Sequence, residues 1–430
     1  MTLALSRIAT VVIYTCDMCM LRVRLHHLRQ LLPKEYFSQD RSIVAVVGWA
    51  LLLTVPAAMF AMLLNLGKNL GRSPQLIRLT PKGRITHFAP AVDLNLRQLR
   101  RLEARALSTT RIINPGLTSN DALQRLFSES FSGVQFVDER TSTPIFVFWL
   151  TVSLLLAPDC HNTWPLMSAD DESLWLDPPI VNAPPRDQVA GLLNLHDINQ
   201  FVVLTTRQSM YYKWRASLPT SQRSTLVDHQ LHVHVDIAKF KDVAAELQSM
   251  GLPVIRMGVV QEDETPPPIL STKQWSATAD LAVFGNALFH LCGADGSWSL
   301  SAAFNRPVLL TDAYEISNLR DSPTGKYPRM LMLFRLLRDK HTGSTFGTDE
   351  TLQVSRGNLT EFKAADSLFE LIPTHPVKIL RAIKYFLPFL DEDPRDWPPP
   401  SDLERQIMEK WLGRDYRFWN YPRLFLDDEE

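Results

Sequence analysis

The chain has 430 residues, enough for two folded units with sizeable cores and too many for a peptide or a minimal module. Its 45 Lys+Arg against 46 Asp+Glu leave a net charge of −1, so no global field recruits nucleic acid or an anionic surface. Hydrophobic residues at 45% with 21% charged exclude wholesale disorder.

Residues 1–41 read as a basic leader, with LRVRLHHLRQLL at its centre as an amphipathic helix at a membrane surface. From Ser42 to Gly67 the chain carries no charge. Its core, Ile43 to Leu66, would form a helix of roughly 36 Å, long enough to cross a hydrocarbon layer of about 30 Å. Residues 42–67 are therefore expected to be a transmembrane helix and the protein a single-pass membrane protein. A cleavable signal peptide fits poorly, since the run begins more than forty residues in. The preceding flank holds Arg22, Arg24, Arg29, Lys34 and Arg41, and the following one Lys68, Arg72, Arg78, Lys82 and Arg84. That balance leaves the positive-inside rule without a preference.

After the run, Leu76–Leu79 and Ile85–Phe88 read as short strands around the turn Pro81-Lys82-Gly83, and Asn95–Leu107 as a helix. Ser119 or Asn120 caps a helix through Leu126. The apolar stretch Ile145–Ala157, bounded by Pro144 and Pro158, is too short to span a bilayer. It reads as a buried strand or helix of the globular part, with a re-entrant or interfacial segment as the other reading. Pro158–Asp187 lacks periodicity and reads as a long ordered loop.

Type then alternates. Phe201–Leu204, Leu231–Val235, Pro253–Met257, Ala287–Cys292 and Pro307–Leu310 have strand character. Lys239–Met250, closed by Gly251, and a segment through Phe304 have helix character, with the short pieces Trp275–Ala279 and Leu281–Phe284 between. Such alternation indicates a doubly wound parallel sheet. Cys16, Cys19, Cys160 and Cys292 are too few for a disulfide framework, and the C-x2-C pair has no second pair at metal-binding distance.

Three elements carry chemistry. In the first, a strand ends at Gly293 and the chain turns through Asp295 and Gly296. Ser297 and Trp298 then open a helix at the strand's C-terminal edge, where open α/β sheets bind ligands and a helix N-terminus suits phosphate. A tight turn with a capping serine gives the same pattern. In the second, Val254-Ile255-Arg256-Met257-Gly258 puts a guanidinium at a strand end, followed by a glycine that lets the backbone turn. Such a guanidinium can grip a pyrophosphate or pair with a nearby acid. In the third, His232 and His234 alternate on one strand face ahead of Asp236. That spacing fits structural or pH-sensitive histidines better than a metal site, and no metal is expected.

In this order, Leu231-His-Val, Gly251-Leu-Pro-Val-Ile-Arg-Met-Gly258 and Cys292 through Pro307-Val-Leu309 resemble a bacterial family of glycosyltransferases found with surface-polysaccharide genes, over about Asp228 to Asp312. Gly83-Arg-Ile-Thr-His-Phe88 is similar to the R-I-G-H of heptosyltransferases. The resemblance implies a GT-B-like pair of Rossmann-type α/β domains following the N-terminal transmembrane helix. The units would be an acceptor-side domain over residues 75–222, a nucleotide-sugar domain over 223–390, and a tail over 391–430 that packs back or stays exposed. The family's arginine in L-H-V-R is His234 here, and the glycine of R-I-G-H is Thr86.

The resemblance implies a membrane-anchored, metal-independent glycosyltransferase passing sugar from a nucleotide-sugar co-substrate to a cell-surface glycan or lipid-linked acceptor, with its catalytic body cytoplasmic. Arg256, Gly258 and the Gly296–Trp298 turn would hold the diphosphate, and Asp295 the ribose or sugar hydroxyls. Arg84, His232 and His234 would stand nearby. His87 is the expected base toward the acceptor hydroxyl, with Asp93 and Glu103 as further candidates. A non-catalytic binding or assembly protein that keeps the fold is the alternative. Asp391-Glu-Asp393 has the letters of a metal-binding D-x-D and also reads as an exposed acidic loop.

Overall fold

The computed structural model describes residues 52–53, 55–61, 63, 76–78, 85–101, 111–113, 121–130, 134–137, 142–156, 172–187, 189, 200–206, 235–257, 268–270, 276–293, 295–313, 316, 326–356, 368–413, 419 and 421–426. The leader, all but the last residue of the expected strand Leu231–Val235, and most of the uncharged run lie outside these residues. Among the described residues no helix is long and apolar enough to cross a membrane.

The first unit is a parallel sheet of three short strands, β1 (Leu76–Arg78), β2 (Arg111–Ile113) and β3 (Gln135–Val137), in that spatial order. They alternate with α1 (Ile85–Arg101), α2 (Asp121–Ser130) and α3 (Thr143–Leu156). The strand expected at Ile85–Phe88 is instead the first turn of α1. Phe88, Ala91, Val92 and Leu96 are all buried, so apolar spacings of three and four set the period, and a four-residue window was too short to show it. Pro90 falls inside this helix, in its second turn, where its missing N–H removes one intrahelical hydrogen bond.

The second unit is a six-stranded parallel sheet, so the chain is an α/β protein with a Rossmann-like sheet. Its strands are β4 (Val202–Thr205), β5 (Val254–Arg256), β6 (Phe289–Cys292), β7 (Val308–Ala313), β8 (Met330–Phe334) and β11 (Arg423–Leu424). Spatially they run β11-β8-β7-β6-β4-β5. Strands β4, β6 and β8 are buried along their whole length, as expected for a parallel sheet covered on both faces. On one face, Val202, Leu204 and Phe289 pack against α4 (Lys241–Ser249) and, through Ile379 and Phe386, against the later helix α8. On the other, Val203 and Ile255 pack against α5 (Ala277–Asn286) and α6 (Trp298–Ala303). Helix α5 joins the two short pieces read there, running unbroken from Ala277 past Phe284; Trp275 lies outside the described residues. At Gly251 the backbone has φ +79°, the left-handed turn that closes α4.

The same apolar cluster includes Phe88, Val92, Leu123 and Phe127, so α1 and α2 lie directly on the α5/α6 layer. Gly285 of α5 admits the loop before β4: a Cβ there would stand 2.5 Å from that of Ala183.

Beyond β8 the antiparallel pair β9 (Leu336–Asp339) and β10 (Phe369–Ile372) flanks α7 (Thr348–Val354), and α8 (Pro376–Phe386) and α9 (Asp402–Leu412) follow. The six-stranded sheet thus takes β4 from before residue 223 and β11 from after residue 390, across both expected domain boundaries. The C-terminal segment is tied down by a buried ion pair. Glu404 of α9 accepts from Arg423 Nε at 2.7 Å, from its Nη2 at 2.8 Å and from the Leu424 amide at 2.9 Å.

Candidate functional site

The chain starts the large sheet in its interior at β4, places β5 to one side and crosses to β6 on the other. The C-terminal ends of β4 and β6 therefore meet at the point where the strand order reverses, the position at which open α/β sheets bind ligands. Thr205 ends β4 and Cys292 ends β6, paired in register, and Gly293 continues with its amide bonded to the Thr205 carbonyl at 2.9 Å.

Around Thr205 the structure gathers a polar network. Its hydroxyl donates to Asp295 Oδ2 at 2.9 Å and lies 2.8 Å from His290 Nε2 and 2.6 Å from the Ser297 hydroxyl. Ser297 donates to Asp295 Oδ1 from its amide, at 2.8 Å, and from its hydroxyl. Ser301, one turn into α6, lies 3.1 Å from His290 Nδ1. His290 is wholly buried, and that burial pushes its pKa down to about 3, so the ring is neutral. With the Thr205 and Ser297 hydrogens both on the carboxylate, the consistent tautomer has Nε2–H donating to Thr205 and Nδ1 accepting from Ser301. Burial, reinforced by Asp295, raises the Cys292 thiol well above its ordinary range, which makes it an inert neighbour.

This geometry revises one expectation. Ser297 occupies the N-cap of α6 with helical backbone angles and makes no capping hydrogen bond; its side chain turns back to Asp295. The Asp295 carboxylate already holds the Ser297 amide, the place expected for a phosphate oxygen, and α6 is a single short turn-and-a-half of six residues. The physical reason is local: Asp two residues before an amide closes an Asx turn, which outcompetes an external anion.

Arg256 lies at the C-terminal end of β5, buried, with its amide held by the Leu270 carbonyl at 2.8 Å. Gly296 and Trp298 flank Ser297 as expected, and Trp298 stacks on Tyr327 at 6.5 Å. His87 belongs to the first turn of α1. Arg84, His232, His234, Gly258 and Glu103 lie outside the described residues. Asp93 is wholly buried and bonded to Arg97 Nε at 2.9 Å, which removes it as a base toward solvent. Asp391 and Asp393 lie in the turn after α8, where Asp393 accepts from Arg395 Nε at 2.8 Å and Nη2 at 2.6 Å. Among the described residues no group of three His, Cys, Asp or Glu side chains is placed to hold a metal ion.

Sequence reading missed a second polar group on the same edge of the sheet. Asp312, near the end of β7, has φ +57° at an irregularity in the β7–β8 pairing. Its wholly buried carboxylate accepts from Lys239 Nζ and from the Thr374 amide at 2.8 Å, and Arg335 Nε lies 3.6 Å away. Burial alone would raise the Asp312 pKa, but Lys239 and Arg335 together hold it below the ordinary carboxylate value. Lys239 is itself lowered by burial. The one sequence sign was an aspartate directly after an apolar strand, which is common and unspecific. No family model, curated protein or solved structure matches the chain.

Proposed function

We propose that the protein is a membrane-associated glycosyltransferase that takes its sugar from a nucleotide-sugar donor bound at the C-terminal edge of the large sheet. The observation that carries this reading is the convergence of Thr205, Asp295 and Ser297 at the point where the strand order reverses, one strand away from Arg256. A carboxylate oriented by three donors is a fitting acceptor for ribose or sugar hydroxyls, so Asp295 keeps the role proposed for it. The diphosphate is better assigned to cations than to the α6 amides, with Arg256 first and the Lys239–Arg335 pair next along the edge.

In this reading the first unit, carrying His87, presents the acceptor, and the two units make a GT-B-like pair. Sugar transfer then needs the leaving diphosphate neutralised and the acceptor hydroxyl deprotonated. Nucleotide sugars are made in the cytoplasm, so the body faces that compartment, and the acceptor is a surface glycan or its lipid-linked precursor. A binding protein without transfer is the second reading, favoured by the Asp295 carboxylate occupying the Ser297 amide at the centre of the Gly296–Trp298 turn expected to meet phosphate.

The test is a thermal-shift and calorimetric panel of UDP-, GDP-, ADP- and CMP-sugars on the full chain in detergent. One of them should stabilise the protein, and Arg256→Gln and Thr205→Val should weaken that binding about tenfold or more. Hydrolysis or transfer of the bound sugar separates enzyme from binding protein. If no nucleotide sugar shifts the melting temperature, the reading is abandoned.

A further inference from the structure

The uncharged run does not stand apart from the folded body. Its described residues, 52–53, 55–61 and 63, are helical. One face of this segment is closed: Ala57 is wholly buried and Ala61 nearly so, in a cluster with Val152 of α3. Phe60 packs against Phe148 at 5.6 Å and edge-on against Trp149 at 5.4 Å. Small residues four apart let the two helices approach closely, as they do in apolar surroundings. The other face is open, and its described residues are apolar, with Leu52 70%, Val55 61%, Met59 65% and Leu63 59% exposed, at spacings of three and four that make one stripe. Ile145, at the start of α3, is 51% exposed.

Helix α3 is in turn seated on the small sheet, touching β1, β2 and β3. The order is therefore sheet, α3, apolar segment, open stripe. If the segment crossed the bilayer, its middle, residues 57–61, would sit at mid-depth beside α3. The sheet behind α3, with Arg78 and Arg111 in its strands and with β1 and β3 as its outer strands among the described residues, would follow it into hydrocarbon. Exposed strand edges are not tolerated there.

We infer that the protein is monotopic: residues 52–63 and α3 form a two-helix shelf whose open stripe lies in one leaflet of a lipid bilayer, with both ends of the uncharged run on the same side. The occupant is lipid because, among the described residues, the open face holds only apolar side chains, and it lies within 26 uncharged residues bounded by Arg41 and Lys68. Lys34, Arg41, Lys68 and Arg72 on the two flanks suit anionic headgroups at one surface. This inference assigns α3 the interfacial role that its sequence left open, and it stands whether or not a nucleotide sugar binds.

The test places one added cysteine on each side of the run, Ser38→Cys or Ser73→Cys, in a full chain carrying Cys16→Ser, Cys19→Ser and Cys160→Ser, with the buried Cys292 retained. Sealed right-side-out and inside-out vesicles from expressing cells are treated with a membrane-impermeant maleimide. Both cysteines should react in the same preparation and neither in the other. Reaction from opposite sides makes the segment a spanning helix and overturns the inference. In a second measurement, Val55→Glu with Met59→Glu should cut flotation of the purified protein with vesicles of phosphatidylcholine and phosphatidylglycerol by about tenfold or more, with an unchanged circular dichroism spectrum. Equal flotation of variant and parent, or a parent that does not float, also overturns it.

Discussion

Asp93 and Asp312 are both wholly shut off from solvent and both lie against cationic side chains, yet they end on opposite sides of the ordinary carboxylate pKa. At Asp93 burial prevails and raises the pKa, although Arg97 works against it. That guanidinium is divided among many acceptors: the carbonyls of Leu174 and Trp175 at 3.3 Å, of Asp177 at 2.6 Å, and Asn305 Oδ1 at 2.9 Å, with its plane near the Trp175 ring. At Asp312 the carboxylate is the shared partner, with Lys239, Arg335 and the Thr374 amide turned toward it, and the pKa falls. The number of donors committed to the carboxylate, more than its depth, decides its charge. The first cluster is a clamp between α1 and the loop before β4; the second is a charged group near the C-terminal edge of the large sheet.

The largest expected effect follows from the clamp. Arg97→Met leaves Asp93 without its cation and strands several carbonyls, and should cost about 3–5 kcal/mol in chemical denaturation. Asp312→Asn should cost about 2–3 kcal/mol at neutral pH, less because Lys239 is partly exposed and can release its proton.

The two carboxylates should also differ in the sign of their pH dependence. Asp312, with a lowered folded pKa, contributes stability above its unfolded value near 3.9, and this is lost as pH falls further. The cost of Asp312→Asn should therefore shrink below about pH 4. Asp93, with a raised folded pKa, contributes most below its unfolded value and loses that contribution as pH rises through the folded one. Asp93→Asn should accordingly cost less at pH 8 than at pH 4, and parallel urea titrations of the two variants would break the comparison if both moved the same way.

The smallest effect tests a carboxylate with burial and no cation among its causes. Burial alone lifts the Asp280 pKa to about 6 in the first turn of α5. Its ionisation therefore weakens the fold as pH rises through about 6. Asp280→Asn should stabilise the protein by about 1 kcal/mol at pH 8 and leave it unchanged at pH 4, a difference readable in melting temperature.

Much of the large sheet was legible in the chain itself. Phe201–Leu204, Pro253–Met257, Ala287–Cys292 and Pro307–Leu310 fall on β4 to β7, because strands buried on both faces appear as short runs of Val, Ile and Leu between turns. Asp295 and Ser297 were also marked correctly as neighbours at a strand end. Their link to Thr205, and through it to His290, was not legible, since Thr205 stands some ninety positions before Asp295 and the histidine is buried in β6. The C-terminal strand β11 escaped notice for a related reason. Two residues have no period, and Arg423 looks like a surface charge until Glu404 is seen to bury it.

By itself, the sequence determined what depends on neighbours along the chain: the α/β alternation, the glycine that closes α4, and a run of 26 residues without charge. Tertiary structure decided what depends on who stands opposite. It spread the guanidinium beside one aspartate over a carbonyl 80 positions away, gave another a surrounding of donors, joined Thr205 to the Asp295 turn, and laid one side of the uncharged run against α3. These outcomes rest on contacts between residues tens to hundreds of positions apart, and the energies of such contacts have no counterpart in local pattern.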